Sequence, residues 1–166
     1  MSLSPLIVAD LEQAPEAFAR LLAALPPAAW DFKPASWVEC PGEHFSIREN
    51  LCHLRDLEVE GYQRRFARTR AEQDPDLPSV DGYALAEERR YSATDPHAAL
   101  AAFRAARAET LGAIRGFSAA ELARLARFNT YGPTNLAGLV HYLSSHDRQH
   151  LACFHWLMGK MAAELH

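Results

Sequence analysis

The chain has 166 residues, 49% of them hydrophobic and 23% charged, with a formal net charge of −4. That is enough for one domain with a full core. The absence of a basic stripe argues against a nucleic-acid binder, and no run of eighteen apolar residues marks a membrane span.

Helical periodicity dominates and strand signals are weak. Residues 11–25 carry Leu11, Phe18, Leu21, Leu22 and Leu25 and stop at Pro26-Pro27, with Pro15 expected near the helix start. Residues 28–44 read as a long connection ordered by Trp30 and Trp37. A capping box, Ser46-Ile-Arg-Glu49, opens a second helix that should reach about Phe66. The segment DPDLPSVDG (74–82) is a turn-rich loop, and a short helix is expected from Tyr83 to Tyr91. Asp95-Pro96 starts a third long helix, which runs through Leu100, Phe103, Leu111 and Ile114 to Gly116. A second capping box, Ser118-Ala-Ala-Glu121, opens a short helix to about Arg127. After a loop over 129–133, Thr134 is expected to cap a last helix that ends near Gly159. Four long helices with one or two short extras predict an all-α four-helix bundle, folded as a single domain over 1–166.

The last helix carries the most informative pattern. Leu136, Leu139, Val140, Leu143, Phe154, Leu157 and Met158 share one face, within an arc of roughly 100°. With Leu136 at zero, His146 falls at about 280° and His150 at about 320°, both pointing inward. An unpartnered buried polar group costs about 1–3 kcal/mol, so two stacked inward imidazoles need a shared partner. On the second helix His53 lies at about 240° from Ile47, beside Leu57, where it can turn toward a neighbouring helix. Three neutral imidazoles from two helices predict a three-ligand metal site with an open position. Two core histidines bonded to each other and to buried acids is the alternative.

Glu58 and Asp147, each near 20° on its own helix, place carboxylates on or beside apolar faces. They are candidates to orient a ligating imidazole or to act as a general base. Asp56 and Glu60 are expected at the surface with Arg55 or Arg64, and His141 and His155 on the polar side. His44, His97 and His166 have no motif around them. Trp30, Trp37, Tyr62, Phe66, Tyr83 and Tyr91 read as core before pocket wall. Cys40, Cys52 and Cys153 show no CxxC spacing and predict neither a disulfide framework nor a thiolate zinc site. The first residues, MSLSPLIVADLEQ, lack the basic start and apolar length of a secretion signal, so a cytoplasmic location is expected.

The segments SIRENLCHLRDLE (46–58) and LVHYLSSHDRQHLACF (139–154) resemble the two metal motifs of the DinB-like superfamily. In that family a His in HLxDxE on the second helix joins an HxxxH on the last long helix. The stretch ending in LAAFRAARAETLGAIRGFSAAEL resembles the family's third helix and following turn, so the likeness covers nearly the whole chain. It implies a DinB-type bundle with His53, His146 and His150 as ligands of one divalent ion: zinc, nickel, iron or manganese. It also implies a homodimer. Cys153 departs from the pattern, because the family often carries Gln or another polar group there. It is read as a buried apolar residue before a fourth ligand.

The resemblance further implies a metal-dependent enzyme that transfers a low-molecular-weight thiol to an electrophilic small molecule. A second reading keeps the metal and makes water the nucleophile, with Glu58 or Asp147 as base. A third is a non-catalytic metal- or ligand-binding bundle. The chain has no HExxH, no Gly-rich phosphate loop and no GxSxG elbow.

Overall fold

A computed structural model describes residues 2–129 and 131–164. Ser4 accepts a hydrogen bond from the Leu6 N–H, and Pro5 fills the first turn, so helix α1 spans Pro5–Ala23. It begins before the periodic stretch, and Pro15 lies inside it rather than at its start. A proline has no N–H to give the carbonyl four residues back. That carbonyl, of Leu11, instead accepts Arg107 Nη1–H at 3.0 Å.

The Ser46–Glu49 capping box is present and opens α2, Ile47–Asp56. A π-helical segment, Leu57–Gln63, follows without a break and leads into α3, Arg64–Ala71. The three pieces make one rod that extends beyond Phe66. Asp81 caps α4, Gly82–Glu88, and a 3-10 turn covers Tyr91–Ala93. Helix α5 spans Pro96–Arg115 with Asp95 as its cap, as expected. Helix α6 keeps its Ser118 capping box but is shorter than expected, Ala119–Leu122.

Beyond α6 the chain forms strands, which corrects the expected helix to Arg127 and the loop over 129–133. Strands β1 (Asp76–Leu77), β2 (Leu125–Phe128) and β3 (Gly132–Asn135) form one small sheet in that order. The pair β1–β2 is parallel, with Asp76 opposite Arg127; β2–β3 is antiparallel, with Leu125 opposite Asn135. Within β2 the side chains alternate, burying Ala126 and Phe128 and exposing Leu125 and Arg127. That two-residue period is too short to stand out beside a helical stretch. Thr134 belongs to β3 and not to a cap. Asn135 Oδ1 instead accepts the Gly138 N–H, and α7 runs from Leu136 to Glu164, past Gly159.

Helices α1 and α2 follow one another in sequence, yet each packs against both α5 and α7. This places them diagonally in the bundle and makes residues 24–46 a crossover. One apolar cluster gathers Phe18, Leu51, Leu54, Phe103, Phe154 and Leu157. A second gathers Leu11, Phe66, Leu77, Leu139, Val140 and Leu143. The crossover is ordered by its aromatics, as expected: Trp37 stacks on His44 and Trp156, and Trp30 meets His97 edge-on. Among the described residues no helix is long and apolar enough to cross a membrane.

Candidate metal centre

His53 sits in the last turn of α2, and His146 and His150 occupy successive turns of α7. Their Nε2 atoms converge. His146 Nε2 lies 3.3 Å from His53 Nε2 and 3.2 Å from His150 Nε2, and all three ligand atoms fall within 4.8 Å of one another. A tetrahedral ion bonded to imidazole at 2.0–2.1 Å sets neighbouring nitrogens about 3.3–3.4 Å apart. The two short separations therefore match a single coordination shell. His53 and His150 are buried, and His146 is half-buried.

The ring of His150 is fixed from behind. Its Nδ1 lies 2.6 Å from Asn50 Oδ1, while Asn50 Nδ2 donates to the Phe45 and Ser46 carbonyls at 2.8 and 3.0 Å. The amide oxygen must accept, so Nδ1 of His150 carries the proton and Nε2 turns a lone pair toward the cluster. His53 is fixed by packing. A Cβ on Gly82 would stand 2.8 Å from its Cε1 and 2.9 Å from its Nδ1, so glycine lets the ring and α4 approach this closely without either shifting. Nδ1 of His53 is buried without a hydrogen-bond partner among the described residues.

Glu43, from the crossover, faces the same point. Oε1 lies 3.6 Å from His53 Nε2 and Oε2 lies 3.6 Å from His150 Nε2. Those separations are too long for hydrogen bonds. Oε2 is buried and has no hydrogen-bond partner among the described residues, although a third of the side chain is exposed. Burial pushes the His53 imidazole down to about 4. Burial, and then the neighbouring charges of the cluster, push His146 and His150 well below the ordinary histidine value. All three are thus neutral at pH 7, the form that binds metal. Three neutral imidazoles, two short Nε2 separations and an unpaired carboxylate oxygen fit a divalent cation.

Glu58 and Asp147 are placed otherwise than the sequence suggested. All four of their carboxylate oxygens take hydrogen bonds from Arg107 of α5: Glu58 at 2.8 Å twice, Asp147 at 2.6 and 2.9 Å. They face a guanidinium rather than an imidazole. The three side chains are buried. Burial pushes the Asp147 carboxyl up to about 6 against the lowering pull of Arg107, and the two carboxylates hold Arg107 charged. Asp56 is also a correction, being buried and held by Arg55, Arg89 and the Tyr91 hydroxyl. Cys153 stands apart from the imidazoles, its sulfur facing Cys40 and Asn50. His44, His97, His141 and His155 are exposed, and His166 lies outside the described residues. Tyr62 packs against the cluster, its ring 6.0 Å from that of His146, and so does Phe45, its ring 5.3 Å from that of His53.

Sequence reasoning missed Asn50, Glu43 and Arg107. Arg107 had a readable signal, since it falls midway between Phe103 and Leu111 at four-residue spacing, on the apolar face. Asn50 lies one turn before His53. Glu43 sits in irregular backbone, where periodicity carries no information.

A crossed four-helix bundle with inward histidines on two facing rods defines a class. The chain belongs to the DinB superfamily, whose sequence profile matches residues 10–154. YfiT from Bacillus subtilis, described as a probable metal-dependent hydrolase with an unusual four-helix bundle topology, has a similar structure with a TM-score of 0.82. The match covers 98% of this chain and 91% of that one at 19% identity, so the likeness is one of fold. No curated protein sequence matches this chain.

Proposed function

We propose that this chain is a metal-dependent hydrolase of a small-molecule substrate, in which His53, His146 and His150 hold one divalent ion and Glu43 takes up the proton. The observation that carries this reading is the Glu43 carboxylate, 3.6 Å from two of the three converging Nε2 atoms with one oxygen unpaired. An ion on three imidazoles supplies Lewis acidity and lowers the pKa of a water or thiol at its open position. Zinc, nickel, iron and manganese all accept imidazole ligands. Asn50 keeps the His150 lone pair aimed inward, and Gly82 holds His53 in place. Glu43 Oε2, without a donor among the described residues, is the proton acceptor that a water nucleophile requires. Substrate would enter from a shallow depression of about 320 Å³ walled by Gly42, Glu43, His44, Tyr83 and Gln149.

The thiol transfer implied by the sequence resemblance would use the same centre. Hydrolysis is favoured because a coordinated thiol loses its proton outright, whereas water benefits from an adjacent carboxylate. The test is a metal-loaded protein assayed on activated esters and amides, and in parallel on a generic electrophile with bacillithiol, mycothiol or glutathione. Metal-dependent hydrolysis is expected, and Glu43→Gln should lower kcat by about 10²- to 10⁴-fold with metal content unchanged. Consumption only in the presence of a thiol would replace hydrolysis by transfer. No turnover in either arm would leave a binding protein.

A further inference from the structure

Cys40 and Cys153 are 113 positions apart in sequence, yet their sulfurs stand 3.8 Å apart. Cys40 is half-buried in the crossover and Cys153 is buried on α7. Their other contacts are weak: Cys40 reaches the Glu43 carbonyl at 3.9 Å, and Asn50 Nδ2 reaches Cys153 at 3.9 Å. The third cysteine, Cys52, is buried elsewhere against the Tyr91 carbonyl. A disulfide needs its sulfurs at about 2.0–2.1 Å, so bonding requires an approach of roughly 1.8 Å. Residues 31–46 contain neither helix nor strand, which leaves the Cys40 side able to make that move.

We propose that Cys40 and Cys153 are a peroxide-oxidisable dithiol whose disulfide fastens the loop bearing Glu43 to the helix bearing His150. The more accessible thiolate, Cys40, attacks hydrogen peroxide. A sulfur–oxygen bond forms, the peroxide bond breaks, and hydroxide leaves. The Cys153 sulfur then attacks the sulfenic sulfur of Cys40. The disulfide forms, the sulfur–oxygen bond breaks, and the hydroxyl departs with the Cys153 proton as water. Two thiols are oxidised and one peroxide is reduced to water, and an external dithiol reverses the change by exchange. Burial pushes the Cys153 thiol up to about 12, so Cys40 reacts first and Cys153 resolves it.

The position of the bond gives it a consequence. Cys153 lies one helical turn beyond His150, and Cys40 lies three residues before Glu43. Asn50 touches both the Cys153 sulfur and the His150 ring. Oxidation therefore ties the acid-bearing loop to the rod that presents two imidazoles. The spacing of the cysteines gave no hint of this, because the crossover brings the two sulfurs together.

The experiment treats reduced, full-length protein with hydrogen peroxide in the presence of a chelator and counts thiols after denaturation. The count is expected to fall from three to one. Peptide mapping should then show a Cys40–Cys153 cross-link lighter by two hydrogen atoms, and dithiothreitol should restore all three thiols. Cys40→Ser should keep both remaining thiols under the same treatment, whereas Cys153→Ser should stop at a sulfenic acid on Cys40, trapped by dimedone, with no intramolecular cross-link. Three surviving thiols, a sulfinic acid on Cys40 without a cross-link, or a cross-link through Cys52 would overturn the assignment. If a serine variant does not fold, the wild-type peptide map decides alone. Protease cleavage within residues 38–44 should slow on oxidation and recover on reduction; an unchanged rate would remove the fastening.

Discussion

The same two rods, α2–α3 and α7, carry two buried polar clusters, and the clusters differ in completeness. Around Arg107 nothing is left over. Its five N–H groups give five hydrogen bonds, four to Glu58 and Asp147 and one to the carbonyl freed by Pro15. Around the histidines two buried atoms, Glu43 Oε2 and His53 Nδ1, have no hydrogen-bond partner among the described residues. Buried polar atoms in native proteins almost always find partners. The closed cluster is therefore architecture, and the unfinished one is where a ligand belongs.

Arg107→Met provides the largest test of that contrast. It strands two buried carboxylates, so the unfolding free energy should drop by about 3–5 kcal/mol in a denaturant titration. Replacing Arg107, Glu58 and Asp147 together with apolar residues of similar volume should recover most of the loss, because no charge is then left unpaired. A loss below about 1 kcal/mol in the single variant would mean that the cluster is solvated and not closed.

The histidines should instead reveal themselves through pH. His53 has its folded pKa depressed to about 4 from an ordinary 6.5. Below 6.5 the unfolded chain takes up a proton that the native, metal-free protein refuses until about pH 4. Stability is therefore fully present above pH 6.5 and falls through that window, by about 3 kcal/mol from His53 alone. His146 and His150 shift in the same direction. Urea titrations at pH 7 and pH 4.5 in chelator measure the slope. A flat profile would show that the imidazoles are not buried neutral.

How much of this was legible in the chain depends on period. His146 and His150 were visible because a 29-residue helix repeats its apolar face often enough to define an inside. His53 was visible as a flanking residue, and the resemblance joined it to the other two. Glu58 and Asp147 were correctly placed as inward carboxylates, but their partner was not. Helical angles give the direction of a side chain along its own rod and not which rod it meets. The diagonal placement of α1 and α2, which decides that α5 brings Arg107 between them, is a property of the crossover. Glu43 and Cys40 lie in that crossover, where neither the 3.6-residue nor the two-residue period applies. The strands were lost for a related reason, since four alternating residues in β2 are too few to outweigh a neighbouring capping box.

Asn50 tests the support behind one ligand. Asn50→Ala removes the oxygen that fixes the His150 ring, and loss of such a partner lowers metal affinity by about 10- to 100-fold. Competition titration with a chromophoric chelator reads this directly. Asn50→Asp keeps the acceptor and should retain more of the affinity. Equal losses in the two variants would assign Asn50 to its Phe45 and Ser46 contacts instead of to the imidazole.

The smallest effect separates two glycines. At Gly159 an added Cβ meets nothing within 4 Å, and the residue lies inside α7. Gly159→Ala should therefore stabilise the protein by about 0.5–1 kcal/mol through helix propensity. At Gly82 the same methyl group would stand 2.8 Å from His53 Cε1, so either the ring or α4 must shift. Overpacking of this kind costs about 1–3 kcal/mol, opposite in sign to Gly159→Ala. Because the displaced atom belongs to His53, metal affinity should fall in Gly82→Ala and stay unchanged in Gly159→Ala. A Gly82→Ala variant that loses stability but binds metal with full affinity would mean that α4 yields while the ring holds, and that His53 is positioned from α2 alone.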